Sequence, residues 1–229
     1  MDHPIYHFTL LRHAESVGNA QSRWQGQSDY PLSEKGRAQA RALAARWAAE
    51  RVKFDIVIAS PLLRARETVE IIASALALKV EIDPIWMERD VGEMEGLTAD
   101  EILQKPKPPY VTPYEPIGGD GEGDWQLFLR AGKALHGLLR RPAGNYLVAS
   151  HGGMLNQLMH AIVGAARHAD PSGVRFHFEN ASFARVIYLP HQHRWLVDAV
   201  NDHAHLASLE EIGVRNLFDS STGNRNGGH

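Results

Sequence analysis

Short apolar runs alternate with amphipathic helical stretches along most of the chain, and this alternation constrains the fold more than any other feature. The runs IYHFTLL (5–11), FDIVIAS (54–60) and NYLVAS (145–150) are as apolar as strands buried on both faces. The remaining predictions are helices at 33–50, 61–78, 124–140 and 152–164, a short strand at 79–83, and short strands or a meander at 174–180, 182–190 and 194–200. Strands that alternate with helices indicate an α/β fold with a mostly parallel sheet.

Two of the predicted helices carry local start signals. Ser33 precedes an apolar stripe at helical spacing and is a candidate N-cap, because a serine hydroxyl can accept from the first free backbone N–H groups. Ser60 is a candidate N-cap for the next helix, with Pro61 at its first position.

Residues 89–123 interrupt the alternation. Their glycine, proline and acidic residues indicate a long irregular excursion, with a short helix near 98–104. Loops of this length in a compact domain are usually functional or disordered, and we expect this one to lie over the site. The sequence shows no internal repeat and no clear boundary. We therefore predict a single domain at 1–212, followed by a flexible polar tail at 213–229.

Composition narrows the classes of function. The chain of 229 residues has a net charge of -3 and no dense run of lysine and arginine, which argues against nucleic acid or an anionic membrane as partner. The lack of cysteine excludes disulfides, thiolate nucleophiles and cysteine-based metal sites. The first apolar stretch is short and has no basic leader, and no run approaches the roughly 18 to 20 apolar residues of a membrane helix. We expect a cytoplasmic protein that binds neither nucleic acid nor membrane.

Basic side chains follow three of the predicted strands. Arg12 and His13 come directly after the first strand, Arg64 lies in the first turn of the helix after the second, and His151 follows the strand at 145–150. Parallel strands present their carboxyl ends at one edge of a sheet, where ligands bind. Guanidinium groups and helix N-termini both favour phosphate. A single arginine at a strand end is usually solvated and a single histidine is usually structural, but recurrence at three strand ends predicts a phosphate site.

Four motifs, in order, resemble those of the histidine phosphatase superfamily, the group that includes cofactor-dependent phosphoglycerate mutases. They are LLRHAESVGN (10–19), ASPLLRARET (59–68), MERDVGEMEG (87–96) and VASHGGML (148–155). The resemblance covers residue 5 to about 206, favours the phosphatase-type members, and implies a three-layer α/β/α sandwich with helices on both faces of the sheet. Ala14 stands where the family most often has glycine. The segment GGDGEGDW (118–125) looks like the family's Gly-Glu-Ser segment with an insertion, which leaves the role of Glu122 open.

The resemblance also implies roles for individual residues. His13 would be the nucleophile that takes the phosphoryl group, and Glu88 the general acid and base. The residues that would contact the phosphoryl group are Arg12, Asn19, Gln25, Gly26, Arg64, His151 and Gly152. Of these, Arg12, Arg64 and His151 would also be catalytic, because they stabilise charge on the transferring group. The resemblance implies no metal and no other cofactor, and the histidines at 191 and 193 have no clear carboxylate partner that would make a metal site.

Three functions fit these residues. The first is a phosphomonoester hydrolase that passes through phosphohistidine, with a small phosphomonoester and inorganic phosphate as its partners. The second is a mutase, which needs further basic residues for a substrate carboxylate. Because Arg89, Lys105 and Lys107 are the only bases in the front part of the excursion, the phosphatase is favoured. The third is a non-catalytic phosphate- or phosphoprotein-binding relative. Sugar phosphates, nucleotide-derived phosphates, phosphoglycerates and phosphoproteins stay open as substrates, as do monomer and homodimer.

Overall fold

A six-stranded sheet organises the described part of the protein. The computed structural model describes residues 3–106, 112–165, 174–207 and 209. The strands are β1 (Tyr6–Arg12), β2 (Ile56–Ala59), β3 (Glu81–Ile82), β4 (Gly144–Ser150), β5 (Phe183–Leu189) and β6 (Arg194–Asp202). Their spatial order is β3-β2-β4-β1-β5-β6. Strands β1 to β4 are parallel to one another, and β5 is antiparallel to both of its neighbours, β1 and β6. The predicted, mostly parallel sheet is confirmed.

Helices cover both faces of the sheet. They are α1 (Val17–Ala20), α2 (Glu34–Ala49), α3 (Leu63–Leu76), α4 (Ala99–Leu103), α5 (Asp124–Leu139) and α6 (Gly152–Val163), with turns of 3₁₀ helix at Pro84–Trp86, Gly92–Met94, Pro190–Gln192 and Ala204–Leu206. Along β4, Tyr146 and Val148 pack with α5 and α6, whereas Leu147 and Ala149 pack with α2 and α3. Successive strand residues point to opposite faces, which explains why a strand covered on both faces reads as an unbroken apolar run. The α/β/α sandwich is therefore present.

The start of α2 agrees with the sequence prediction and the start of α3 does not. Ser33 Oγ accepts from the Gly36 backbone N–H at 3.0 Å and caps α2. Helix α3 begins at Leu63, so Pro61 precedes the helix, and the N-cap is Leu62, which makes no side-chain cap bond. The prediction that Ser60 is the N-cap is wrong, because the helix begins three residues after it; the Ser60 hydroxyl accepts from the Leu62 N–H at 3.3 Å and lies 2.8 Å from His151 Nε2.

The segment 174–180 is not a strand, although its neighbours β5 and β6 confirm the two predictions that follow it. Its phenylalanines give it an alternating pattern, but its backbone bonds lie outside the sheet. The Val174 carbonyl contacts His160 Nε2 at 2.9 Å, and the Phe176 N–H donates to Asn156 Oδ1 at 2.9 Å, both on α6. The segment is thereby fastened to a helix, and its later residues reach the site described below.

The excursion at 89–123 is irregular where the structure describes it, apart from one 3₁₀ turn and α4, which confirms the helix predicted near 98–104. Its two halves are joined, since the Glu93 N–H donates to the Gly118 carbonyl at 3.0 Å. Gly118 has a φ of +60°, and a Cβ there would lie 2.1 Å from the Val91 carbonyl oxygen, so this junction requires glycine. The tail at 213–229 and the boundary at 212 lie outside the described residues. Within the described ranges, no helix is both long and apolar enough to cross a membrane.

Candidate active site

The carboxyl ends of three neighbouring strands meet at one edge of the sheet. Arg12 is in register with Ser150, so β1 and β4 end side by side, and the His13 N–H donates to the Ser150 carbonyl at 3.0 Å. On the other side of β4, the Ser60 N–H donates to the Ala149 carbonyl at 3.0 Å. The side chains that follow β1, β2 and β4 therefore share one small space, as the parallel order requires.

His13 is buried and its ring has a defined tautomer. Its Nδ1 lies 2.7 Å from the Ala14 carbonyl oxygen. A carbonyl only accepts, so Nδ1 carries the proton and Nε2 keeps its lone pair. Burial lowers the pKa of His13 well below its ordinary value, and the charges of Arg64 and Arg12 lower it further. His13 is neutral at pH 7, and its Nε2 carries no proton.

His151 lies beside His13, with ring centroids 5.1 Å apart. It is fully buried, and its Nε2 is 2.8 Å from Ser60 Oγ. Burial lowers the pKa of His151 well below its ordinary value, and the charges of Arg64 and Arg12 lower it further. Two neutral imidazoles thus share a site with two arginines.

The two arginines are fixed by backbone carbonyls from loops on either side. Arg12 Nη1 donates to the Phe178 carbonyl at 2.5 Å. Arg64 is 1% exposed, and its Nη1 and Nη2 each donate at 2.8 Å, to the carbonyls of Ser28 and Gly26. Burial lowers the pKa of Arg64 to about 10, which leaves it charged at neutral pH. Burial also lowers the pKa of Arg12.

Several buried nitrogens in this cluster have no hydrogen-bond partner among the described residues. They are Nε of Arg12, Nε of Arg64 and Nδ1 of His151. The guanidinium Nε–H groups can only donate, and leaving a buried donor unpaired typically costs about 1–3 kcal/mol. An anion with several acceptor oxygens would satisfy these donors together. The cluster is therefore suited to a phosphoryl group.

Glu88 lies on the other side of the amino end of α6. Its Oε2 accepts from the Gly153 N–H at 3.0 Å, and its Oε1 accepts from the Met154 N–H at 3.1 Å and from the Arg89 N–H at 2.8 Å. A Cβ at Gly153 would lie 2.5 Å from Glu88 Oε1, and a Cβ at Gly152 would lie 3.6 Å from Arg12 Nε. Of the two adjacent glycines, Gly153 therefore lies against the Glu88 carboxylate and Gly152 against the Arg12 guanidinium.

The loop residues predicted to contact phosphate bind one another and the residues of the central cluster. Asn19 Oδ1 accepts from the Asn180 amide at 3.2 Å, and the same amide donates to the His13 carbonyl at 3.1 Å. Gln25 turns its Oε1 to the Ser16 hydroxyl, 2.6 Å away. Gly26 contributes the carbonyl that holds Arg64. The structure brings Asn19 and Gly26 against the backbone and side chains of the central cluster.

Sequence reasoning missed several residues that shape this site. Ser60 follows β2 at the same edge, so the strand-end rule that selected His151 would have found it. Glu95 accepts from the Gln27 N–H at 2.6 Å and from the Ser28 hydroxyl at 2.5 Å, and it thereby holds the loop that binds Arg64. Glu122, whose role the sequence left open, forms a two-point ion pair with Arg130, a residue that the sequence did not single out. In the described ranges, no group of three or more His, Cys, Asp or Glu is arranged to hold a metal ion.

Comparison with known proteins agrees with this geometry. A protein of Photorhabdus laumondii named probable phosphoglycerate mutase GpmB is 36% identical over 217 residues, covering 89% of this chain and 97% of that protein. Mycobacterial glucosyl-3-phosphoglycerate phosphatase superposes with a TM-score of 0.71 at 25% identity, covering 86% of this chain and 99% of that one. Phosphoserine phosphatase of Entamoeba histolytica shares the fold, with a TM-score of 0.70 at 22% identity over 88% of this chain and 99% of that one.

The family assignment rests on the length of the match as well as on the site. The family model of the histidine phosphatase superfamily (branch 1) matches residues 8–203, which include most of β1, all of β2 and β4, and every residue of the central cluster. The chain belongs to the histidine phosphatase superfamily.

Proposed function

We propose that the protein is a phosphomonoester hydrolase that works through a covalent phosphohistidine on His13, with Glu88 as general acid and base. The observation that carries the proposal is a buried, neutral His13 beside buried nitrogens of Arg12, Arg64 and His151 that have no partner among the described residues. Transfer of a phosphoryl group requires a nucleophile and, next to it, donors that stabilise the negative charge on the phosphoryl oxygens.

The first step forms the phosphoenzyme. The lone pair on His13 Nε2 bonds to phosphorus as the bond from phosphorus to the ester oxygen breaks. The electron pair of that bond passes to the leaving oxygen, which takes a proton from the Glu88 carboxyl. Proton transfer of this kind typically contributes about 10²- to 10⁴-fold in rate. Arg12, Arg64 and His151 hold the phosphoryl oxygens throughout.

The second step releases phosphate. Glu88, now a carboxylate, takes a proton from a water molecule that enters where the alcohol left. The water oxygen bonds to phosphorus, the bond from phosphorus to Nε2 breaks, and its electron pair returns to the ring. The Nδ1–H bond to the Ala14 carbonyl keeps His13 oriented through both steps.

We further propose that this chemistry needs no metal. Two guanidinium groups supply positive charge at the phosphoryl oxygens, and they bind such oxygens bidentately. His151 adds a third donor, because a dianion beside its ring favours the protonated form against the effect of burial.

The contacts of the basic residues near Glu88 support the hydrolase over the mutase. Arg89 Nη1 lies 2.9 Å from Asp124 Oδ1, and its Nε donates to the Glu122 carbonyl at 2.6 Å. Lys105 Nζ lies 3.6 Å from Glu93 Oε2. Both cations are therefore engaged by acceptors of the chain, whereas a mutase must offer cations to a substrate carboxylate. Lys107 lies outside the described residues.

The mutase is the second candidate, because the curated relatives at 33–36% identity are named probable phosphoglycerate mutases. The likeness to a mycobacterial phosphatase at 25% identity supports the hydrolase. We propose a small phosphomonoester as substrate.

The first experiment measures phosphate release from p-nitrophenyl phosphate and a panel of metabolite phosphates with EDTA present, comparing wild type with His13→Ala. We expect EDTA-resistant release that the substitution abolishes, and an acid-labile phosphoenzyme in wild type after a rapid quench. Conversion of 3-phosphoglycerate to 2-phosphoglycerate with 2,3-bisphosphoglycerate present, without net phosphate release, would favour the mutase. Phosphate binding without any turnover would favour the non-catalytic relative.

A further inference from the structure

We infer that Arg130, held by Glu122, is the residue that positions the proposed general acid, an inference that rests on the proposed function of Glu88. The Arg130 guanidinium donates to three backbone carbonyls in the stretch that ends at Glu88. Nη1 reaches the Ile85 oxygen at 2.9 Å and the Met87 oxygen at 2.7 Å, and Nη2 reaches the Glu88 oxygen at 3.1 Å.

Glu122 holds Arg130 in that orientation. Its carboxylate oxygens lie 2.8 Å and 2.6 Å from Nε and Nη2 of Arg130, and the two side chains are only 14% and 20% exposed. The Glu122 N–H donates to the Asp90 carbonyl at 2.8 Å, and its carbonyl accepts from Arg89 Nε at 2.6 Å. Arg130 and Glu122 thus fasten the chain on both sides of Glu88.

The backbone at Glu88 depends on these contacts because regular structure there is sparse. One 3₁₀ turn ends at Trp86 and the next begins at Gly92. Gln27 Nε2 also donates to the Glu88 carbonyl, at 3.1 Å, but Arg130 binds that carbonyl and two others before it. The planar fork of arginine presents five N–H donors at fixed angles, and a lysine ammonium cannot reproduce that set.

A displaced general acid has a kinetic signature that general loss of structure lacks. A poor leaving group needs its proton during bond cleavage, whereas a stable phenolate leaves without one. A misplacement of roughly 1 Å can cost about 10²-fold in rate. The loss should therefore appear with phenyl phosphate, whose phenol has a pKa near that of tyrosine at about 10, and be small with p-nitrophenyl phosphate.

The test compares kcat/KM for these two substrates, since that ratio covers the steps through release of the phenol. Arg130→Met should lower kcat/KM for phenyl phosphate by about 10²-fold, with less than about fivefold for p-nitrophenyl phosphate, and Glu88→Gln should give the same pattern. Arg46→Met is the matched control. Arg46, on α2, is 21% exposed and forms a two-point pair with Asp202 on β6, at 2.6 Å and 3.0 Å. It should lower neither value.

Equal losses on the two substrates, or no loss with Arg130→Met while Glu88→Gln remains selective, would overturn the inference. If Arg130→Met does not fold by circular dichroism, Glu122→Gln takes its place, because it keeps the arginine but removes the charge that orients it. The proposed function fails in a different way, since His13→Ala would then retain turnover or Glu88→Gln would show no selectivity.

Discussion

Arg12 ends a strand of the central sheet and His13 and His151 each follow one, whereas Glu88 follows a single 3₁₀ turn and its backbone is held by side chains. We call the first group, with Arg64, the phosphoryl side. We call Glu88, Arg89, Glu122 and Arg130 the leaving-group side. The position of the phosphoryl side follows from sheet hydrogen bonds such as that from the His13 N–H to the Ser150 carbonyl. The leaving-group side depends on contacts between loops and α5. In the proposed mechanism, the sheet therefore positions the groups that bind the phosphoryl group, and the loops position the group that protonates the leaving oxygen.

The largest expected effect tests the phosphoryl side. Arg64→Lys keeps the positive charge but loses the planar guanidinium. In wild type that group donates to the Ser28 and Gly26 carbonyls, and its Nε has no partner among the described residues. Removing one oriented donor to a transition-state oxyanion typically costs about 10²- to 10³-fold, and we expect a loss of that size in kcat/KM. The loss should be the same for phenyl and p-nitrophenyl phosphate, because Arg64 does not serve the leaving oxygen. A loss confined to phenyl phosphate would break the division into two sides.

A smaller effect is expected where the two sides touch. Gly153→Ala places a Cβ 2.5 Å from Glu88 Oε1 and must displace the carboxylate. We expect kcat/KM for phenyl phosphate to fall by about 10- to 10²-fold, with a weaker effect on p-nitrophenyl phosphate. The control is Gly137→Ala on α5, where a Cβ meets nothing within 4 Å. It should leave kinetics unchanged and raise the free energy of unfolding by about 1 kcal/mol.

The fold was predictable where a strand is buried on both faces. Leu10 and Leu11 pack into different cores on opposite faces of β1, so the run that contains them has no polar gap. The segment 174–180 has a strand-like pattern as well, but the partners of its backbone are His160 and Asn156. Those partners lie on helix α6, distant in sequence, and no local sequence pattern predicts them.

The site was predictable to the extent that it follows strands. Arg12, His13 and His151 come from one rule about the edge of a parallel sheet. Glu88 came from the family resemblance, since nearby Asp90 and Glu93 are equally acidic. Arg130 lies within an amphipathic helix, where an arginine is usually solvated, and its role appears only when α5 is placed against residues 85–88.

Mild acid should lower the free energy of unfolding through two histidines of the phosphoryl side. The folded protein keeps His13 and His151 neutral because burial lowers the pKa of each, whereas an unfolded histidine titrates near pH 6.5. Below that pH the unfolded chain binds more protons, so the free energy of unfolding falls as pH falls through the window between about 6.5 and the lowered folded values. Urea unfolding between about pH 7.5 and about pH 5.5 measures the slope. His13→Asn should flatten it. Equal slopes for wild type and His13→Asn would contradict the neutral assignment.

The smallest expected effect concerns a cation on the loops. Lys105 and Glu93 are 39% and 74% exposed, and an exposed pair of this kind contributes about 0–1 kcal/mol. Lys105→Ala should therefore leave kcat/KM for both aryl phosphates within about twofold of wild type. The informative substrate is 3-phosphoglycerate, which carries a carboxylate. We expect an unchanged KM for it, because in the proposed hydrolase Lys105 pairs with Glu93 and does not bind the substrate. A raised KM for that substrate alone would mean that the lysine leaves Glu93 to bind the substrate carboxylate. The leaving-group side would then carry mutase recognition, and the division between the two sides would describe two substrate subsites.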